Sequence, residues 1–396
     1  MNSAVWIYPV DLVDDTDAVL ASVKALGVDG ISLATTYHAG RLLLPHNPGR
    51  AVHFLEDGVA YFHADLSRYT GLTLTPKVAE AAAAIDPFAG ARAAADRHGL
   101  RTSAWTICLH NSRLGRQHAD CTIHNAFGES YSYALCPSHP DVRAYVLALC
   151  EDIASRCRPA AIELEAFGFM SYEHASHHDK LTFRLDAARS FLLSICFCPH
   201  CRTRMAAAGL DADRLSARAR TELKTYFDTG GPPQFSSRES IDSYLYECFG
   251  LQAREGLLGV RQEVVRSLLA ELRGRLPADL PLHCQCAPSP YVGGAAAGLS
   301  MASVSAHVDA IIVNLFIRDE EALRTELRAA RKSAASGTKL FANVRAHMPD
   351  SDDQDAFLQK IGILKTEGID GVRFYHYGLI PRTHLEWIRR AMEVLG

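Results

Sequence analysis

Three cysteines fall within six residues in Cys196-Phe197-Cys198-Pro199-His200-Cys201. As thiolates they can reach one tetrahedral zinc ion, which then needs a further ligand from elsewhere in the chain. Cys136 is the first candidate for that place, with Cys121 and His200 behind it. A closed set of four protein ligands makes such a zinc site structural, not catalytic. The competing reading is three buried thiols packed as small hydrophobes. His283-Cys284-Gln285-Cys286 offers another metal-binding pattern, although its thiols read more simply as strand residues.

The second pattern is a carboxylate pair in Ile162-Glu163-Leu164-Glu165-Ala166-Phe167. On a strand, Glu163 and Glu165 share one face while Ile162, Leu164 and Ala166 share the other. If helices cover the apolar face, both carboxylates point into a closed sheet, with Glu165 nearer the open end. An unpaired carboxylate there needs a cation, a hydrogen-bond network or a raised pKa. Held neutral, Glu165 is a natural general acid. Glu163 is the second catalytic candidate, set against a plainer pairing with an interior Arg or His.

Polar and aromatic groups recur at the ends of other apolar runs: Tyr37 and His38, His110 and Asn111, Gln285, Asn314, Asn343 and Arg345, then Arg373, Tyr375, His376 and Tyr377. Stacking rings with amide, imidazole and guanidinium donors suit a polyhydroxylated ligand such as a sugar. The stretch Glu173-His174-Ala175-Ser176-His177-His178-Asp179-Lys180 reads as a solvated polar loop that could also bind metal or furnish an acid–base. Gly293-Gly294 reads as a lid or turn, and neither a phosphate-cradling glycine loop nor a nucleophile elbow is present.

The elements that must position these groups follow from periodicity. Short apolar, β-branched runs at 5–8, 30–35, 102–108, 161–167, 282–286, 310–315, 340–345 and 371–375 alternate with helical patterns at about 15–27, 86–98, 140–157, 185–208, 238–275, 318–335, 352–367 and 383–394. Eight strands separated by helices predict an α/β fold, a (β/α)8 TIM barrel. Excess length after the second and fourth strands, at about 38–85 and 168–278, predicts a β-hairpin insertion and a Cys-rich helical insertion. The hairpin reads as 52–54 with 59–62 around Glu56-Asp57-Gly58. Both insertions follow strands and so project from the functional face. The reading is a single domain over 1–396, with a separate helical subdomain at about 185–275 as the alternative.

Composition sets the outer bounds. The 396 residues are 48% hydrophobic and 22% charged, ordinary for a globular chain. A net charge of −4 gives no electrostatic case for nucleic acid. No apolar run approaches a membrane span, and the first ten residues lack a charged n-region. Eleven cysteines, an odd count, argue for thiols and metal ligands in a reducing cytoplasm, not a disulfide framework.

Glu165 followed by the Cys-x-Cys-x-x-Cys loop resembles the (β/α)8-barrel glycoside hydrolases, especially the family 42 β-galactosidase type. In that family a zinc-binding Cys-x-Cys-x-x-Cys cluster follows the fourth-strand acid/base Glu, and another Cys precedes it. Cys136, Glu165, Cys196, Cys198 and Cys201 occur here in that order. The segments Leu135-Cys136-Pro137-Ser138-His139-Pro140-Asp141-Val142-Arg143 and Phe374-Tyr375-His376-Tyr377-Gly378 also look like parts of uncharacterised glycoside hydrolases. Two departures stand out. Leu164, not Asn, precedes Glu165, and Phe341-Ala342-Asn343-Val344-Arg345 holds no counterpart of the family's seventh-strand nucleophile. An inverting base from Glu56, Asp57, Glu173 or Asp179 is the remaining option.

The resulting expectation is a glycoside hydrolase for a small glycoside or oligosaccharide, with structural zinc, a carbohydrate ligand and no nucleic-acid or membrane partner; homo-oligomerisation stays open. The alternatives are a carbohydrate-binding barrel without hydrolysis, and a metal-dependent lyase or isomerase built on His38, His110, Glu165 and His283.

Overall fold

The computed structural model describes residues 1–174, 180, 184–231, 234–291 and 298–396. Its eight barrel strands are β1 (Asn2–Ile7), β2 (Gly30–Tyr37), β3 (Arg101–Ile107), β4 (Ile162–Glu165), β5 (Leu282–Gln285), β6 (Ala310–Asn314), β7 (Lys339–Val344) and β8 (Gly371–Phe374). Each pairs in parallel with its sequence neighbours, and β1 also pairs with β8, closing the (β/α)8 barrel.

Eight helices complete the repeat: α1 (Thr16–Ala25), α2 (Pro87–Arg97), α3 (Pro140–Cys157), α4 (Leu251–Arg275), α5 (Met301–Ser305), α6 (Glu320–Ser333), α7 (Gln354–Thr366) and α8 (Leu385–Leu395). Asp15, Asp86, Asp319 and Asp353 each accept a backbone N–H three residues on, which fixes where a loop from the barrel mouth becomes a helix. The apolar strand faces meet these helices in one continuous core. No helix among the described residues is long and apolar enough to cross a membrane.

The insertions differ in detail from the sequence expectation. The hairpin after β2 pairs Gly40–Leu43 with Val52–Leu55, and residues 59–60 instead run antiparallel to the end of β2. The turn between them is Gly58, at φ +63°, where an added Cβ would lie 2.1 Å from Asn111 Oδ1. A left-handed, crowded turn sends the chain back to the barrel, so it cannot close a hairpin on 52–54. A second hairpin, Thr122–His124 with Ser130–Leu135, follows β3. After β4, helices Ala187–Leu193, Pro199–Ala207, Ala212–Thr229 and Arg238–Phe249 bury a small apolar cluster of their own. The last part of the expected insertion is α4, a barrel helix.

Inside the barrel, inward side chains stack in layers. The lower layer is ionic: Arg373 Nε and Nη2 each lie 2.7 Å from Glu163 Oε1, and His283 Nδ1 lies 3.4 Å from it. Arg373 also donates to Asn2 Oδ1 at 2.9 Å and covers the Phe341 ring. Burial alone would raise the Glu163 pKa, but Arg373 and His283 bring it down to about 2. Glu163 is thereby corrected from a catalytic candidate to the ionic plug of the barrel: its charge is neutralised beneath the mouth.

Removing one partner of such a pair leaves a buried unpaired charge. Glu163→Gln is expected to cost about 3–5 kcal/mol in urea unfolding, with part recovered in Glu163→Gln/Arg373→Met. Because the folded pKa lies below the unfolded one, this stabilisation is full above about pH 5 and is lost as pH falls through ~4 towards 2. Equal stability of wild type and Glu163→Gln at pH 7 would contradict the assignment.

Candidate functional site

One pleat above the plug, at the C-terminal end of β4, lies Glu165. It is half-buried, and its Oε2 accepts two hydrogen bonds, from Trp105 Nε1 at 2.6 Å and Gln285 Nε2 at 2.7 Å. Burial raises its pKa above the ordinary value, and the two donors offset only part of that rise. The pair in Ile162-Glu163-Leu164-Glu165 thus divides into a permanently ionised carboxylate below and a carboxyl with raised proton affinity above.

The donor side continues across the strands. Asn314 Nδ2 donates to Gln285 Oε1 at 3.1 Å, and Asn343 Nδ2 donates to Asn314 Oδ1 at 2.8 Å. Strand register brings Asn314 and Asn343 opposite each other on β6 and β7. Asn314 is exposed at the mouth, whereas Asn343 is buried.

Phenols and imidazoles occupy the other side. The Tyr8 hydroxyl lies 2.9 Å from that of Tyr37 and 3.2 Å from that of Tyr375. Burial raises the pKa of all three, and Glu165 adds to the rise for Tyr37 and Tyr375, so the phenols stay protonated beside it. Trp6 and Trp105 pack at 4.4 Å beneath them. His38 stacks on Tyr37 at 4.4 Å and on His110 at 3.9 Å, and His110 Nδ1 lies 2.9 Å from His174 Nε2. Burial lowers the pKa of His38, and burial with the His38 charge lowers that of His174 to about 4, so these rings are neutral near pH 7. The mouth is therefore a wall of uncharged donors and acceptors with aromatic faces.

Several predicted residues serve the frame. Asn111 caps the helix Ser112–Gln117, accepting from Leu114 N at 2.9 Å, with its Nδ2 near Gly58 O. Arg345 donates twice to Asp350, at 2.6 and 2.7 Å, and lies over Phe316. His376 is buried, stacked on Tyr8 at 3.9 Å, and accepts from Gly378 N; burial drives its pKa well down. In this structure Asn111 caps a helix, Arg345 pairs with a carboxylate and His376 packs in the frame, its Nε2 without a partner among the described residues.

His174, read from sequence as part of a solvated loop, instead packs on His110. Trp105 and Tyr8 were not singled out, since an aromatic in a strand reads as core. Of the proposed second carboxylates, Glu56 is held by Lys77 and Glu80 N, Asp57 by Arg116, and Glu173 is exposed. Asp179 and Gly293-Gly294 lie outside the described residues.

The sulfur cluster lies apart from the mouth. Cys136 Sγ lies 3.8, 3.7 and 3.6 Å from those of Cys196, Cys198 and Cys201, and all four sulfurs fall within 4.8 Å of one another. Cys121 and His200 do not join them; both pack against His139. His38, His110, Glu165 and His283 form no metal-ligand group among the described residues, since His283 belongs to the lower layer. The 580 Å³ cavity lined by Arg143, Arg204 and Arg275 also lies outside this constellation.

No protein-family model matches the sequence, and no curated protein does. Solved structures do match the fold. An α-L-fucosidase (isoenzyme 2) from Paenibacillus thiaminolyticus is similar at TM-score 0.58 and 11% identity, over 99% of this chain and 49% of that one. The PgaB (BpsB) glycoside hydrolase domain from Bordetella bronchiseptica gives TM-score 0.56 and 14% identity, over 99% of both chains. A β-galactosidase from Marinomonas gives 0.52 and 8%, over 99% of this chain and 59% of that one. The chain thus spans about half of the fucosidase and three-fifths of the galactosidase chain. At these identities what is shared is the barrel.

Proposed function

We propose that this protein is a glycoside hydrolase acting on a small glycoside or oligosaccharide, with Glu165 as the general acid. The observation that carries the reading is Glu165 itself: a carboxyl at the mouth of the barrel, with raised proton affinity and both N–H donors on one oxygen. The other oxygen, Oε1, is the one available to protonate a departing glycosidic oxygen. Neutral phenol, imidazole and amide groups around it suit sugar hydroxyls. The barrel plan shared with the fucosidase and the PgaB domain supports the same class.

A second reading has its own support. Asn343 stands at the end of β7, where a retaining enzyme of the family resembled carries its nucleophile, so a sugar-binding barrel without hydrolysis is the alternative. Retention needs carboxyl groups about 5 Å apart. The carboxylates of Glu163, Glu56, Asp57 and Asp350 are each committed elsewhere.

We further propose that Cys136, Cys196, Cys198 and Cys201 hold structural zinc, following the order of the family 42 pattern. Tetrahedral Zn–S bonds of about 2.3 Å require sulfurs about 3.8 Å apart, and the observed spacings from Cys136 are 3.6–3.8 Å. Four thiolates around a divalent ion carry a net negative charge. Arg261 answers it: the side chain is buried, its Nη1 donates to Ser194 O, and its Nε and Nη2 have no partner among the described residues. Burial depresses the Arg261 pKa to about 10 while Cys201, Cys196 and Cys136 push it back up. Such a zinc would brace the loops and take no part in the reaction. Reduced thiols also fit the cytoplasmic location expected above.

Glu165→Gln is expected to lower kcat on aryl glycosides with poor leaving groups by about 10²–10⁴-fold, with far less effect on 2,4-dinitrophenyl substrates and an unchanged melting temperature. In the wild type, kcat/KM should fall on the alkaline side through a titration above the ordinary glutamate value of about 4.3, because the acid must be protonated to act. Full activity of Glu165→Gln on poor leaving groups would remove the proposal; calorimetric sugar binding with no turnover of any aryl glycoside would favour the binding barrel.

Metal analysis of the purified chain should find one zinc per molecule, lost in Cys198→Ser together with a lower melting temperature. Four freely titrating thiols at these positions in the folded, untreated protein would contradict it.

A further inference from the structure

The four polar side chains Glu165, Gln285, Asn314 and Asn343 come from the consecutive strands β4, β5, β6 and β7, and they join in one unbroken line of hydrogen bonds. Amide groups can face either way, but a carboxylate only accepts. Glu165 Oε2 therefore compels Gln285 to present its NH2 group. The Gln285 carbonyl oxygen must then accept from Asn314, and the Asn314 oxygen from Asn343. Every N–H in the line points toward Glu165. The line ends at Asn343 Oδ1, which is buried and has no partner among the described residues. No described group at that end pulls the dipoles back.

We propose that Gln285, Asn314 and Asn343 form a directional amide relay that positions Glu165 and fixes Oε1 as the oxygen bearing its transferable proton. Asn343 is thus a positioning residue acting through two others, at the end of β7 where a second carboxylate would otherwise stand. Gln285 and Trp105 together occupy Oε2 with donors, so a proton on that oxygen would face two N–H groups and break both bonds. A proton on Oε1 leaves both intact and lies on the open side of the carboxyl. Each added bond in such a line polarises the next, strengthening the last donor by about 10–30% per bond. The relay therefore keeps the proton affinity of Glu165 below what burial alone would give, so the group remains a competent acid instead of a permanently protonated one.

This inference goes beyond the proposed hydrolysis, because it concerns the titration of Glu165 whether or not a sugar is cleaved. The test is a carboxyl 13C NMR titration of Glu165 in the full chain, with the signal assigned by its absence in Glu165→Gln. Asn343→Leu and, at the exposed middle position, Asn314→Leu cut the line; both should raise the Glu165 titration by about 0.2–0.6 unit. Asn343→Asp replaces the first donor with an acceptor, forces Asn314 and Gln285 to turn over, and should raise it by about one unit or more. Where hydrolysis is measurable, the alkaline limb of kcat should move up by the same amount. Melting temperatures report folding, and Asn314→Leu keeps the test available should the buried position tolerate no change. An unmoved Glu165 titration in folded Asn314→Leu and Asn343→Asp, beside a shifted one in Trp105→Phe, would overturn the relay. Loss of the hydrolysis reading with the NMR shifts intact would leave it standing.

Discussion

Arg373 can neutralise only one carboxylate, and it is committed to Glu163. The upper part of the barrel depends on that commitment. Glu163 and Glu165 stand two residues apart on the same strand face, in the same narrow interior, yet one receives a guanidinium and the other receives only an indole and an amide. A full positive charge holds Glu163 ionised down to about pH 2, whereas neutral donors offset only part of the effect of burial on Glu165. Two carboxyl groups of one type are driven apart in proton affinity by their neighbours, which is how one fold furnishes a charged strut and an acid together. A cation at the level of Glu165 would make the second carboxylate as inert as the first.

Much of this was legible in the chain. The alternation in Ile162-Glu163-Leu164-Glu165 and the succession of β-branched runs and helices gave the barrel and the inward carboxylates, because both rest on periodicity, which is local. The cysteine spacing brought Cys196, Cys198 and Cys201 together for the same reason. The amide line was only half legible: Gln285, Asn314 and Asn343 could be placed at strand ends, but their mutual contact is set by the stagger of neighbouring strands, which no local pattern carries. Trp105 was hidden differently. Its ring is core-like and fully buried, and only the direction of one N–H makes it part of the site. The hairpin after β2 was misregistered because two turn signals compete there, Asn47-Pro48-Gly49 and Asp57-Gly58, and the tertiary approach of Asn111 to Gly58 decides between them.

His174 shows the opposite failure. A run of His, Ser, Asp and Lys reads as a solvated loop, since each of those residues is comfortable in water. Its described start, up to His174, is held against the barrel. Tyr133 Oη donates to Ser171 O at 3.1 Å, and Tyr172 N donates to Ser194 Oγ at 2.8 Å, so the chain leaving β4 is tied down on both sides before it reaches His174. His174 is then delivered onto His110, whose own position is fixed at the end of β3 by pairing with Ala134.

The cysteine cluster belongs to the same chain of constraint. Cys136 follows the hairpin that carries Tyr131 and Tyr133, while Cys196, Cys198 and Cys201 follow the first helix of the insertion after β4, so the proposed zinc would fasten one segment to the other. The two segments also meet through Phe197 N donating to His124 O at 2.7 Å and Tyr131 Oη donating to Leu193 O at 2.8 Å. From there the bonds of Tyr133 and Ser194 reach the segment 171–172, and through it His174 and the rim beside Glu165. The zinc proposed there would cross-link the two segments and reduce the number of ways the rim can open, so a site away from the reaction would govern how well the mouth of the barrel is formed.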